Sequence, residues 1–515
     1  MLWKVILVLA ILIGSIVALL RVESLSIRLN NPDDVRTSAA KGSAKENVPS
    51  ISTAVRTAYT AKLTILSGEL PGYTGWSRPA STLAHYFEVS TVSSSAPVAG
   101  TNWTVQVHCH DKKARAGGAA FYVRAYGRAI LPGLVTDHRN GTYDVTILPL
   151  DAGRYNLEVV LIFSQPPAWD ALPVEDPPGY EGYLLKGFPI ELDVVAGDSP
   201  SMVSQVSRLC NTSELLETSP TSALQNGRWL VKHKNVDDPF TKYNAPTYKG
   251  YQNGLNSLGI QMEFVHTNGC SVLSETQALD VNRLYKALAK SKLEPKTIHI
   301  IFLGDSNIRN QVQAFQRYFG GRMEASHILT NGGLFDQLPR IREQLQELAA
   351  QDKHYFVLFN SGLHDIAQLC VHPNATLGDD LSCAGQYRTK LQEFVHVVHS
   401  FPSVLTVWQT TTAAWPKYGV FGNEWTPQSP QRLPKAPNVC QHFNEIAWDV
   451  LLPYRIPVMD TYWMTLSRPD HRQVDKTNAV AGHLMHAGPE VYSILTRRWA
   501  MMIIEAIAGA GGGHG

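Results

Sequence analysis

The stretch Ile298–Phe315, IHIIFLGDSNIRNQVQAF, places a serine behind a glycine and an aspartate where an apolar run gives way to a helical pattern. Ser306 at that turn has two readings. As a nucleophile, its hydroxyl faces a crevice at a strand end, and its own N–H near a helix N-terminus suits an oxyanion. As a helix cap, Ser306 or Asp305 merely accepts a backbone N–H of the first turn. Gly304 permits the tight strand-to-helix turn.

Three other places carry residues of matching type. Asn331-Gly332-Gly333 follows SHILT, and the N–H of Gly332 or Gly333 could donate to the same oxyanion or belong to an ordinary turn. Asn360 closes the run HYFVLFN, where its amide could serve the oxyanion or form a turn; His364 follows it, to contact substrate or line the crevice. His486 precedes Gly488-Pro489-Glu490, a helix start with proline in the first turn. A histidine on such a loop can reach a serine hydroxyl as general base. His483 and His486 are three apart with no clear third ligand, so no metal site is expected.

These residues need a scaffold. Apolar runs at 298–304, 354–360, 403–409 and 456–460 alternate with helical patterns near 308–319, 337–350, 386–400 and 438–451. Strand-helix alternation predicts βαβ units and a parallel sheet. The crevice of such a sheet lies outside the carboxyl ends of its strands, where the candidate residues sit.

Ahead of this part, from about Leu83 to Val195, the period changes to two. NWTVQVHCHD, AAFYVRAYG, GTYDVTILPL and YNLEVVLIF read as short strands between turn signals, which argues for a β-sandwich. A Pro-rich insertion, SQPPAWDALPVEDPPGYEG, interrupts its last strands. Before the sandwich, residues 22–81 are rich in Ser, Thr, Ala and Lys and read as a flexible stem. The N-terminal LWKVILVLAILIGSIVALL runs from Leu2 to Leu20 with Lys4 as its one charge, long enough to span a bilayer. It lacks a good cleavage site, so a signal anchor over 1–21 is expected ahead of a removed signal peptide. A bulk in the lumen of the secretory pathway follows from that reading, Golgi type II, or secreted if the segment is cleaved.

The 515 residues exceed one ordinary core and imply two or more domains. Lys plus Arg number 45 and Asp plus Glu 44, which gives no argument for nucleic acid. Six cysteines form no C-x-x-C pair and, behind a secretory segment, suit disulfides; Cys370 and Cys383 could close a loop. Sequons at Asn102, Asn140, Asn211 and Asn374 are compatible with a lumenal location.

Two resemblances follow from these motifs. DHRNGTYDVTILPLDAGRYNLEVVL resembles the filamin-type immunoglobulin-like repeat, which implies a spacer or glycan-contacting module over 82–198. FLGDSNIRN, FNSGLHD and HLMHAGPEVY, in that order, resemble the PC-esterase group of the SGNH/GDSL hydrolases. With a filamin-like module in front, the neurexophilin-and-PC-esterase-domain proteins match best. The implied architecture is α/β: an SGNH-like parallel sheet flanked by helices over 207–515, behind an all-β sandwich and a transmembrane anchor.

The implied chemistry is acyl transfer. Ser306 attacks and carries the acyl group, His486 moves the proton, and Ser306 N–H, Gly332 or Gly333 N–H and the Asn360 amide bind the oxyanion. One position departs from the family. An aspartate is expected three residues before the histidine, and His483 stands there. A carboxylate from Asp460, Asp470 or Asp475 replaces it, or His486 works in a dyad, or catalysis is lost and binding remains. The expected function is O-acyl, most readily O-acetyl, transfer to or removal from glycans. Acetyl-CoA, or a membrane partner that passes acetyl across the bilayer, would supply the acyl group; no resident cofactor is expected. The alternatives are a non-catalytic extracellular or Golgi protein that binds glycan or protein, and a lipid or small-ester esterase.

Overall fold

The computed structural model describes residues 86–92, 95–111, 117–127, 129–163, 183–197, 208–219, 227–232, 251–253, 261–267, 270–272, 281–291, 297–319, 323–330, 333–369, 383–414, 437–467, 471–473, 487 and 489–510. The expected anchor, the stem and the Pro-rich insertion lie outside them. Among the described residues no helix is long and apolar enough to cross a membrane.

The β region opens with β1 (Phe87–Val92), β2 (Trp103–Cys109), β3 (Ala120–Gly127), β4 (Ala129–Pro132), β5 (Leu134–Asp137), β6 (Thr142–Ile147), β7 (Gly153–Phe163), β8 (Tyr183–Leu184) and β9 (Ile190–Val194). β10 (Arg208–Leu209), α1 (Thr212–Leu215), β11 (Gly227–Lys232), β12 (Tyr251–Asn253), β13 (Gln261–His266) and β14 (Cys270–Ser271) follow. One antiparallel sheet has the order β1-β2-β6-β5. In β2 and β6 buried and half-buried residues alternate, as the pleat requires. A second antiparallel sheet runs β13-β11-β4-β3-β7-β8, with β9 also on β7. At the start of β7 the Tyr155 hydroxyl donates back to the Asp151 carbonyl at 3.1 Å. That bond fixes the corner which DAGRY makes.

This second sheet holds β11 and β13, which the sequence reading assigned to the segment 207–515. They join it because their apolar faces complete a sheet buried on both sides. Val123, Ala125, Leu157, Val159 and Leu161 pack toward the first sheet. Their alternates Tyr122, Tyr126, Val160 and Ile162, with Trp229 and Phe264, pack into the core of the α/β part. The Trp229 indole donates to the Met464 carbonyl at 2.9 Å. The β region is therefore one wall of the α/β core, closer than the spacer which the resemblance implied. Two buried ion pairs brace it: Arg124 with Glu158 at 2.5 Å, and Arg228 with Asp151, both ends fully buried.

The α/β part contains α2 (Val281–Ser291), β15 (Ile298–Gly304), α3 (Ser306–Phe319), β16 (Glu324–Leu329), α4 (Leu334–Ala349), β17 (His354–Phe359), α5 (Leu363–Leu369), α6 (Cys383–His399), β18 (Leu405–Gln409), α7 (Pro437–Leu451), β19 (Val458–Met459), α8 (Tyr462–Leu466), β20 (His471–Gln473) and α9 (Pro489–Ala510). Its sheet is β16-β15-β17-β18-β19, parallel throughout. β15 and β17 are buried almost end to end, which is why their sequences read as continuous apolar runs. Counted among the five strands the order is 2-1-3-4-5. Direction reverses after the second strand, so right-handed crossovers put the following helices on the other face. Accordingly α2, α3 and α9 pack together, and α4, α5, α6 and α7 form the other layer. The crevice of such a sheet opens at the reversal, beyond the carboxyl ends of β15 and β17.

A disulfide joins Cys210 to Cys270 across the β10–β14 pair. Cys383 is also disulfide-bonded, and Cys370 lies outside the described residues. Cys109 and Cys440 are buried free thiols.

Candidate active site

The first strand end explains why Gly304 and Asp305 precede Ser306. Asp305 Oδ1 accepts the Asn307 N–H at 2.8 Å, and the Asp305 carbonyl accepts Arg309 N–H at 3.0 Å. Asp305 is thus the N-cap of α3, a structural part rather than a reacting carboxylate. Ser306 comes next, half-buried, as the first residue of the helix. Its N–H belongs to the first turn, whose N–H groups have no partner within the helix, at the positive end of the helix dipole. A Cβ on Gly304 would lie 3.0 Å from Ile308 Cβ and closer still to its Cγ1, so only glycine lets α3 turn back this sharply over β15.

The Gly304 carbonyl is held from two sides. Thr330 N–H donates to it at 2.9 Å, and His327 Nε2 donates at 3.3 Å. His327, on β16, was not singled out in the sequence, because a lone histidine in an edge strand carries no signal of its own. Burial lowers its pKa below the ordinary histidine value, and Arg309 pushes the same way while Asp305 opposes. The imidazole is therefore neutral at pH 7, as a donor to a carbonyl can be.

The second strand end departs from expectation. Gly333, at φ 84°, is the N-cap of α4. Its N–H donates to the Thr330 carbonyl at 3.1 Å, so this glycine is engaged in its own turn and is not an oxyanion donor. Gly332 lies outside the described residues. A buried carboxylate holds this turn instead: Asp365 Oδ1 accepts Leu334 N–H at 2.7 Å, and Asp365 also accepts the Ser361 hydroxyl. Asp365 thereby ties the loop after β16 to the loop after β17. Burial raises its pKa above the usual carboxylate range, against the pull of the Leu334 N–H and Ser361 bonds, with nearby Asp305 adding repulsion. The motif FNSGLHD contains both residues, and spacing alone did not show that they meet.

At the third strand end, Asn360 also differs from the expected role. Its backbone N–H bonds Leu303 O, which sets it beside Gly304. Its amide donates to the Gln409 carbonyl at 2.8 Å and reaches Thr411 Oγ1 at 3.4 Å. Both amide hydrogens clip β17 to the end of β18, so Asn360 shapes the crevice floor and is not an oxyanion donor. His364 is half-buried in the first turn of α5.

Asp460 follows β19, three strands away from β15, or about 14 Å at ordinary strand spacing. Its carboxylate accepts Thr410 Oγ1 at 3.3 Å and the N–H groups of Trp463 and Met464 at 3.2 and 3.3 Å. Its carbonyl accepts Arg498 Nη1 at 2.8 Å. Burial raises the Asp460 pKa and Arg498 opposes. This aspartate starts α8 and anchors α9, which corrects its candidacy as the carboxylate of a triad. A pocket of about 20 Å³, room for roughly one water, opens beside Asp460, Thr410 and Trp463, and Ser306 does not line it.

His483, His486, Asp470 and Asp475 lie outside the described residues. The chain resumes at Ala487, which is buried, and at α9. In the first turn of α9 the buried Tyr492 donates to Asn307 Oδ1 at 2.6 Å and accepts from Asn310 Nδ2 at 3.3 Å. So the structure brings together the neighbourhoods of Ser306, Gly333, Asn360 and the segment that follows His486, and leaves Asp460 apart. Among the described residues no group of three or more His, Cys, Asp and Glu is placed to hold a metal.

No family model matches the chain, and no curated protein does. Solved structures give weak likenesses. The Lin-41 filamin domain is 15% identical, over 22% of this chain and 96% of that one, at a TM-score of 0.17. An alpha/beta hydrolase enzyme from the metagenome of Lake Arreo, Spain, is 13% identical, over 42% of this chain and 95% of that one, at 0.26. A gut microbial diltiazem-metabolizing enzyme is 8% identical, over 42% and 48%, at 0.27. The established part is a mixed α/β chain whose candidate residues gather at the carboxyl ends of a parallel sheet, and TM-scores this low add no argument about its chemistry.

Proposed function

We propose that the chain is a serine-dependent acyl-transfer enzyme of SGNH type, acting on O-acyl, chiefly O-acetyl, groups of glycans. The observation that carries this reading is the bond from Asn307 N–H to Asp305. The capping requirement of α3 is met one residue before Ser306, which removes the structural reason for a serine there. The sheet order supports it, since Ser306 stands where a doubly wound sheet opens its crevice.

In the proposed reaction Ser306 Oγ attacks the ester carbonyl while its proton passes to His486. The Ser306 and Gly332 N–H groups receive the negative charge on the former carbonyl oxygen. The intermediate collapses, the C–O bond to the leaving alkoxide breaks, and His486 returns the proton to it. A sugar hydroxyl or water then attacks the acyl-serine by the same steps in reverse. Each backbone donor of this kind is worth about 2.7–4 kcal/mol in the transition state. With Asp460 engaged at α8, His486 works as a dyad or takes its carboxylate from Asp470 or Asp475.

The Cys210–Cys270 disulfide supports an oxidising compartment, and the apolar stretch 2–20 supports a secretory-pathway membrane anchor, Golgi type II. Acetyl-CoA or a membrane partner would be the acyl source and a glycan the acceptor. The engagement of Asn360 favours a second reading, a binding protein that has kept the crevice and lost turnover.

The test is incubation of the full-length protein with p-nitrophenyl acetate, acid quench and intact mass, beside Ser306→Ala and His486→Ala. An added acetyl that disappears in Ser306→Ala is expected. No adduct and no turnover from this ester or from acetyl-CoA would favour the binding reading.

A further inference from the structure

We propose that Tyr492 is a positioning residue that holds the general base's segment in register with the nucleophile, an inference that rests on the Ser306–His486 reading above. Tyr492 is fully buried in the first turn of α9, six residues after His486. Its hydroxyl joins Asn307 and Asn310 of α3, at 2.6 and 3.3 Å. Asn307 directly follows Ser306, and its own N–H is the one Asp305 caps. One phenol therefore couples the turn that presents the nucleophile to the helix start that follows the base.

A hydrogen bond does here what packing does not. Tyr492 and Asn307 are 185 residues apart in the chain, so no local geometry sets the offset between their helices. Apolar helix surfaces accept a range of crossing angles. A buried Asn–Tyr–Asn chain satisfies its polar groups in a narrow range of arrangements, and a slip leaves one of them unpaired in a dry core.

The same two helices carry a built-in control. Tyr318 and Ser493 share a buried hydroxyl–hydroxyl bond at 2.5 Å. Tyr318 lies about three turns further along α3 than Ser306. Burial, chemistry and helix pair are alike; the distance from the nucleophile differs.

The experiment compares full-length parent, Tyr492→Phe, Tyr318→Phe and Ser306→Ala with p-nitrophenyl acetate. Acylation rate constant, KM and thermal midpoint are measured for each. Both Tyr→Phe variants are expected to melt somewhat below the parent. Tyr492→Phe alone is expected to lose roughly 10- to 10²-fold in acylation rate with little change in KM, as for a reacting group displaced by a fraction of an ångström to an ångström. Equal rates in the two Tyr→Phe variants, at a temperature where both are folded, would overturn the positioning role and leave Ser306 in place. A parent that forms no Ser306 adduct overturns the reading, and the role of Tyr492 with it.

Discussion

Asp305 and Asn307 are joined across Ser306: the carboxylate of one accepts the backbone N–H of the other at 2.8 Å. The serine is held between a cap and the residue it caps. Asp305→Ala is expected to cost about 1 kcal/mol, the usual value of an N-cap. Asp305→Asn, itself a good cap, should stay within a few tenths. Urea unfolding of the two variants checks this. Equal losses would mean that the charge of Asp305, and not its acceptor, holds the turn.

Asp365 links two loops through one buried carboxylate. Asp365→Ala orphans the Leu334 N–H and the Ser361 hydroxyl, and should destabilise by about 1–3 kcal/mol or more. Asp365→Asn keeps an acceptor for Leu334 and should be milder. The sign of the pH effect differs from that of a salt-bridged acid. Burial raises the Asp365 pKa in the folded state, so the folded state binds the extra proton. Stability falls as pH rises from the usual aspartate range to that raised value, and Asp365→Asn should flatten this fall. Thermal midpoints from pH 4 upward, for parent and variant, measure it.

His327 acts in the opposite direction. Its folded pKa is lowered by burial, so as pH drops below the ordinary histidine value the unfolded chain takes up a proton that the folded one resists. Stability is therefore lost on acidification through that window. His327→Gln is expected to reduce the loss, while the buried His299, lowered for the same reason, retains part of it. A parent and variant with identical slopes between neutral pH and the folded pKa would refute the assignment.

Trp229 ties the β region to the α/β part through Met464. Trp229→Ala should cost about 3–5 kcal/mol, as for other large buried aromatics. The loss should appear in both parts together, because one cluster of buried residues contains Trp229, Tyr122 and the strands that carry Ser306. Hydrogen exchange of β3 and β15 peptides checks it. Faster exchange in β3 with β15 unchanged would show that the two parts open independently.

Much of the scaffold was legible in the chain. β15 and α3 lie at 298–304 and 306–319, where an apolar run and a helical period meet, because a doubly buried parallel strand and a helix with a regular apolar face write themselves in local pattern. The turn at Gly304-Asp305-Ser306 was legible for the same reason. What remained open was the division of labour among neighbours. Whether Asp305 or Ser306 caps the helix depends on which side chain meets Asn307 N–H, and both types are good caps.

The sequence by itself determined the alternating elements, the strand ends where polar residues cluster, and the position of Ser306 at a helix start, since each depends on spacing of a few residues. Only the tertiary structure decided that β11 and β13 complete the second sheet, that Asn360 is turned to Gln409, that Asp460 serves α8, and that Tyr492 meets Asn307. These are pairings between residues tens to hundreds of positions apart. They are selected by which buried polar groups must find partners once the apolar faces have closed, and local pattern carries no record of that choice.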